Sequence, residues 1–206
     1  MKKIVWAAIA FLSVGVAFLG WRYHQLRTAA ALWEGPVPEI LSEKLDKDTD
    51  TMSFAFTSRI DAPVDLVMQA FSEPERAAEF SNNIHFSKLI RSEGNKKTVE
   101  FEMVILRRPQ QFSLEFTFFP EERRIAVKTV ENPLSDLSVE YHLVPSPDGM
   151  KTLLTYNGTS KDKTNLPIPL ALQKSALRET FVAMIQALKK GIAARQNTPT
   201  PIHAAS

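Results

Sequence analysis

The chain contains no cysteine. Disulfide frameworks, thiolate zinc sites, iron–sulfur clusters and cysteine nucleophiles are excluded with it. It also lacks an excess of either charge: 25 Lys+Arg stand against 23 Asp+Glu, a formal net charge of +2 over 206 residues. Nucleic-acid binding needs a concentrated basic footprint, and the balance gives none, so no nucleic-acid partner is expected. Histidine is scarce. The four, at positions 24, 85, 142 and 203, form no HExxH and no close pair. No serine stands in a GxSxG setting, so hydrolase chemistry has no support. No internal repeat is visible. What is present is an apolar fraction of 44%, the proportion of a globular chain rather than a disordered one.

The apolar residues are concentrated first at the N-terminus. Ile4 to Trp21 runs without a charge, and as a helix it would span roughly 27 Å, close to the hydrocarbon thickness of a bilayer. Trp6, Trp21 and Tyr23 lie toward its ends, where amphipathic rings favour the headgroups. Lys2 and Lys3 precede it, Arg22 and Arg27 follow it, and the α-amino group tips the balance toward a cytoplasmic N-terminus. The expectation is an uncleaved transmembrane anchor over residues 1–27, with the membrane as partner through Ile4–Trp21 and the rest of the chain on the extracytoplasmic side. A cleaved signal peptide is the alternative. Its only tidy small-x-small site, Ala29-Ala30-Ala31, lies beyond a long basic stretch that suits the role poorly.

Residues 28–51 hold six acidic residues against Lys44 and Lys47 and are interrupted by Pro36 and Pro38. They read as an acidic linker, with a short helix over Pro38 to Lys47 as an option because Ile40, Leu41 and Leu45 recur at helical spacing. The last ten residues, 197–206, read as a frayed tail. The globular pattern occupies 52–196. Met52 to Ile60 alternates as a strand, and Ala62-Pro63 opens a helix over Val64 to Ser72. A second short helix runs from Pro74 to Phe80. The apolar period then changes to two. Strands are predicted at Ile84–Arg91, Lys97–Leu106, Gln111–Phe119, Arg124–Glu131, Ser138–Val144 and Thr152–Asn157, separated by turns rich in Gly, Pro and Asn. Val99, Phe101, Met103 and Ile105 share one face of their strand, and Phe112, Leu114, Phe116 and Phe118 share one face of the next. The longest helix, about Pro169 to Arg195, carries the stripe Leu170, Leu177, Phe181, Met184, Ile185, Leu188 and Ile192. The order is therefore an α+β domain: a mainly antiparallel sheet of seven strands, one face buried and one wet, curled around a C-terminal helix long enough to cover it.

Residues 52–195 resemble the START-like, or SRPBCC, superfamily and its helix-grip fold. The likeness rests on Arg59-Ile60-Asp61-Ala62-Pro63 followed by Val64-Asp65-Leu66-Val67-Met68, similar to the opening strand, x-Ala-Pro, helix pattern. Glu73 to Phe80 resembles the second short helix, and Leu166 to Lys190 the Pro-led closing helix. The nearest-sounding branches are polyketide cyclase/dehydrase-like and coenzyme Q-binding proteins. The resemblance implies a deep cavity between curved sheet and long helix, and carriage or sensing of lipids, sterols, polyketides or quinones. The N-terminal anchor departs from the simplest members. No His-His-carboxylate cluster like that of ring-hydroxylating oxygenases is visible, so no iron or other cofactor is carried over.

Eleven of the 13 phenylalanines lie in residues 52–196. Singly each reads as core; together they suit an apolar pocket, the usual lining of a ligand site. With both Phe rows facing the long helix, Phe101, Met103, Leu114, Phe116, Tyr141, Leu177, Phe181 and Met184 line one space, and only Tyr141 offers a strong polar group. A one-residue slip in any strand would exchange the inward and outward sets. Tyr141 and Tyr156 can each offer a hydroxyl to a ligand carbonyl. Arg107 and Arg108 read as a solvated turn, with contact to an anionic headgroup or the membrane surface as the alternative; Arg123 and Arg124 follow Glu121 and Glu122 and read as locally charge-compensated, and His142 points to water. The leading expectation is a non-enzymatic, membrane-anchored binder of a hydrophobic small molecule. The alternatives are a cyclase or dehydratase-like enzyme, or an interaction module with a filled core.

Overall fold

The computed structural model describes residues 32–35, 38–105, 108–164 and 168–196. The predicted anchor Ile4–Trp21, the Ala29-Ala30-Ala31 site, Arg107 and the 197–206 tail lie outside them. The chain divides into two units, residues 1–36 and 37–206, and every element below belongs to the second. Among the described residues no helix is long and apolar enough to cross a membrane.

The order is β1 (Ser42–Asp48), β2 (Thr51–Ile60), α1 (Val64–Phe71), a 3-10 turn (Pro74–Arg76), α2 (Ala77–Phe80), β3 (Ile84–Glu93), β4 (Lys96–Ile105), β5 (Arg108–Phe119), a 3-10 turn (Pro120–Glu122), β6 (Arg124–Glu131), β7 (Ser135–Pro145), β8 (Thr152–Asp162) and α3 (Leu170–Gln196). The strands form one antiparallel sheet ordered β1-β2-β8-β7-β6-β5-β4-β3. β3 to β8 is a meander, because each turn returns the chain beside the strand just left. Gly94, at φ 56°, makes the β3–β4 turn, where any side chain would be strained.

The sheet has eight strands, not seven. The extra one, β1, lies in the segment read as an acidic spacer with an optional helix, and it pairs antiparallel with β2 from Ser42↔Thr57 to Asp48↔Thr51. Its charges suit an edge, where one side of the strand is unpaired and charge discourages pairing with another chain. Glu43, Leu45 and Lys47 lie opposite Phe56, Phe54 and Met52, so they share the inner side. Leu45 packs on the core. Glu43 and Lys47 reach α3 instead: Arg178 Nε donates to Glu43 Oε2 at 2.6 Å, and Lys47 Nζ to Gln173 Oε1 at 2.8 Å.

The inner face reads as the alternation predicts. Met52, Phe54, Phe56, Val99, Phe101, Ile125, Val127, Val139, Leu143 and Leu154 are buried, and α3 adds Phe181, Ile185, Leu188 and Ile192. That stripe starts later than predicted. Leu170 is 44% exposed and Leu172 51%, so the first turns of α3 stand off the sheet while its C-terminal half packs. The far end of α3 is clamped to the α1–α2 connection. Arg195 Nη2 donates to Glu73 Oε2 at 2.5 Å, and Arg76 bridges Glu73 and Glu79.

Candidate ligand site on the concave face

The aromatic residues of the concave face sort into two groups. The first gathers around the buried end of α3. Phe56 stacks on Phe181 with centroids 4.8 Å apart, Tyr156 lies 5.1 Å from Phe54 and 5.7 Å from Phe181, and Tyr141 lies 5.0 Å from Tyr156. Phe71 of α1 closes this group 4.9 Å from Tyr141. The second group sits on β4 and β5. Phe101 stacks on Phe112 at 5.6 Å and tilts against Phe116 at 6.1 Å; Phe116 stacks on Phe118 at 6.4 Å. Among the described residues no ring contact joins the two. Ile125 and Val127 of β6 and Val139 of β7 form the floor between them, and all three are buried. Bulky rings on both flanks and short aliphatic side chains between them form one continuous apolar face.

This face is not evenly covered. Phe101, Phe116, Tyr141 and Phe181 are buried, whereas Phe112, Leu114, Phe118, Leu137, Leu177 and Met184 are half-buried residues packed on the same core. The incompletely covered set includes β5 side chains and α3 residues nearer its exposed start, on one apolar face. Of the eight residues predicted to line a single space, Tyr141, Phe181 and Met184 fall in or beside the first group, with Leu177 one turn before Phe181. Phe101, Leu114 and Phe116 fall in the second. Met103 is half-buried opposite Gln110 on β4 and is not among the side chains packed on the core.

Polar groups on this face are few and specific. The Tyr141 hydroxyl donates to Met184 Sδ at 3.3 Å, a bond to a weak acceptor. The Tyr156 hydroxyl has no hydrogen-bond partner among the described residues. Burial pushes both phenols above their ordinary range, and for Tyr141 the nearby Tyr156 adds to the shift, so both stay protonated donors at physiological pH. At the β3–β4 side, Lys97 Nζ pairs with Glu75 Oε1 at 2.9 Å, while Glu75 Oε2 is buried without a partner. Ser87 Oγ donates to Glu75 O at 2.6 Å. The 3-10 turn is thus pinned over that end of the sheet. Among the described residues no group of three or more His, Asp or Glu could hold a metal ion.

A depression of about 440 Å³ lies on the opposite, convex face, bordered by Lys96, Glu115, Thr117, Phe119, Lys128 and Glu140. Its charge is already compensated, since Lys96 and Lys128 both pair with Glu115, at 3.3 and 3.1 Å. His142 is on this face beside Glu140 at 3.2 Å, as expected of an outward residue, and Arg124 pairs with Glu122 and Glu140.

The site residues that sequence reasoning left out are Phe54, Phe56, Phe71, Phe112, Phe118 and Leu137. Most of the signal for them was available, since they alternate with outward polar residues or, for Phe71, sit on the α1 stripe.

An antiparallel sheet with a long C-terminal helix packed on its apolar face is the helix-grip architecture of the START-like superfamily. Residues 51–195 match the family described as polyketide cyclase / dehydrase and lipid transport, and the chain belongs to it. β1 precedes the matched segment. Among solved structures, the chain is similar to the Zhui aromatase/cyclase from Streptomyces sp. R1128, with TM-score 0.63 and 15% identity over 72% of this chain and 97% of that one. A START superfamily protein from Mycobacterium smegmatis aligns with TM-score 0.58 and 16% identity over 68% of this chain and 97% of its own. A fragment of a STAR-related lipid transfer protein from Xanthomonas axonopodis aligns with TM-score 0.53 and 15% identity, covering 73% and 98%. At these identities the likeness is one of fold. No curated protein matches the chain.

Proposed function

We propose that the protein binds a hydrophobic small molecule, of lipid, quinone or polyketide-like character, in a trough between the concave sheet face and α3. In this reading Phe101, Met103, Leu114, Phe116, Tyr141, Leu177, Phe181 and Met184 contribute the lining. Ile4–Trp21 anchors the chain in a membrane, and residues 52–196 lie on its extracytoplasmic side. The observation that carries the binding function is the incomplete cover on one apolar face. Phe112, Leu114, Phe118, Leu177 and Met184 are only partly buried, on the face where a ligand would complete the burial. Family membership supports the same class of ligand.

An enzymatic reading, cyclization or dehydration of a reactive chain, is the alternative, supported by the family description and by the likeness to an aromatase/cyclase. Catalysis of that kind wants an acid and a base tuned near the operating pH. The groups at hand fit poorly: two phenols shifted upward and a Lys97–Glu75 pair engaged with itself. Binding is therefore the preferred reading. Native mass spectrometry of the full chain, extracted from membranes in mild detergent, should release an apolar molecule that organic extraction identifies. No co-purifying molecule, and no uptake from a panel of lipids and quinones, would replace the binder by an interaction module.

A further inference from the structure

Tyr141 and Tyr156 stand directly opposite each other on β7 and β8, so both side chains leave the sheet on the concave side. Tyr141 is 7% exposed and Tyr156 8%. A phenol removed from water to this degree normally finds a strong acceptor, because an unmade hydrogen bond leaves the desolvation cost uncompensated. Neither has one. Tyr141 donates to a thioether sulfur, and Tyr156 has no partner among the described residues. The fully enclosed side-chain atoms without a partner are Ser58 Oγ and Glu75 Oε2, and the Tyr156 hydroxyl is not one of them, so some space borders it. The rings themselves are fixed. Tyr156 is packed by Phe54, Phe56 and Phe181, and Tyr141 by Phe71. Two rigid donors side by side, surrounded by hydrocarbon and short of acceptors, are matched by a ligand that brings an acceptor of its own.

We infer that Tyr156, together with Tyr141, is the specificity-determining pair of the trough, and that the ligand is an apolar molecule bearing a neutral carbonyl-type oxygen, as in a quinone, ketone or ester. This deepens the binding reading above and rests on it. An anionic head is disfavoured, since the pair offers no cation to balance it and the protein interior penalises an unpaired charge. A pure hydrocarbon is disfavoured too, because it would leave both hydroxyls without acceptors. Tyr141 exchanges a sulfur for an oxygen, and Tyr156, which has no protein acceptor among the described residues, gains a fixed one in place of solvent.

The test uses the full chain in mild detergent and two probes of nearly equal shape. 1,4-Naphthoquinone and 1,4-dimethylnaphthalene share the fused bicycle, with two carbonyl oxygens in one replaced by methyl groups in the other. Each is titrated against the neutral environment-sensitive dye N-phenyl-1-naphthylamine bound to the protein. One to two neutral hydrogen bonds predict displacement by the quinone at about tenfold lower concentration than by the hydrocarbon. Tyr156→Phe, which deletes one oxygen from a ring held on several sides, should remove most of that preference, weakening the quinone and, if anything, tightening the hydrocarbon; Tyr141→Phe should remove less, since it releases only a bond to sulfur. Equal displacement by both probes in the wild type overturns the inference while leaving an apolar binding site intact. So does a quinone preference that survives in the double variant. If neither probe displaces dye, or no dye binds, the binding reading itself fails and this inference falls with it.

Discussion

A Cβ built on Gly158 would collide with Val139 Cγ1 and Ser138 O and stand 2.8 Å from Val139 Cα. Gly158 pairs with Val139 on β7 and with Phe54 on β2, and Phe54 belongs to the first aromatic group. Only a missing side chain permits Val139 to come so close, and glycine inside a strand commonly marks such a site. Gly158→Ala must push β7 from β8, an overpacking cost of about 1–3 kcal/mol. It should appear as a lower urea midpoint with an unchanged slope. A stability equal to wild type would mean that the strands separate freely and do not need the glycine. Met184 is the complementary case. Its half-buried thioether meets Tyr141 and borders the proposed trough. Met184→Trp should fill that space and weaken ligand binding by about tenfold or more, the equivalent of ~1.4 kcal/mol, while the circular dichroism spectrum stays that of the wild type.

Among the elements, α3 is held at both ends by different means. Its start is tied to β1 by Arg178–Glu43 and Lys47–Gln173, and Gln186 Nε2 donates to Glu39 Oε1 at 2.7 Å. Its end is tied to the α1–α2 connection by Arg195–Glu73. Burial pushes the Glu73 carboxyl upward, but hydrogen bonds and charge from Arg76 and Arg195 more than offset this, and its pKa lies below the ordinary carboxylate value. A lowered folded-state pKa means stability that is complete above the unfolded value and lost as pH falls through the folded one. The clamp should therefore be intact at neutral pH and weaken from about pH 4.3 downward. The protection of amides in residues 188–196, relative to their intrinsic exchange rates at each pH, should fall in that window, and Glu73→Gln should show the lowered protection already at pH 7. Exchange in Glu73→Gln identical to wild type would show that packing alone holds the helix end. These ties also mark the limit of what is legible beforehand. β2, β4 to β8 and α3 follow from periodicity, because each has a wetter face and a drier one, whereas β3 is exposed along most of its length. β1 does not: charges on both its faces give no period, and its inward Glu43 and Lys47 make sense only once α3 lies above them. For the same reason the inward members of the trough can be read from alternation at Phe101, Phe112 or Tyr141, but their division into two groups cannot. That depends on which side chains α3 brings against the sheet, Phe181 against Phe56 and Tyr156 and none against Phe112 or Phe118 among the ring contacts of the described residues.

At the scale of the whole chain, the absence of cysteine becomes an experimental advantage. The proposed topology places Lys2 and Lys3 with the free amino terminus on the cytoplasmic side of Ile4–Trp21 and everything after Arg22 on the other. The charge difference across the span is small, since two lysines precede it and Arg22 and Arg27 follow closely, so orientation rests on the α-amino group and needs a direct measurement. Ser92 is exposed near the end of β3, beside the Gly94 turn and far in sequence from the residues of the trough. Ser92→Cys would be the only thiol in the protein, so any label reports a single position. The full chain carrying it, expressed in a bacterial host, should react with a membrane-impermeant maleimide in spheroplasts to the same extent as after lysis. Protection in spheroplasts, relieved only by lysis, would place the domain in the cytoplasm and overturn the orientation. Recovery of labelled chain in the soluble fraction, shortened at its N-terminus, would replace the anchor by a cleaved leader and leave a released domain whose ligand must be met without a fixed membrane beneath it.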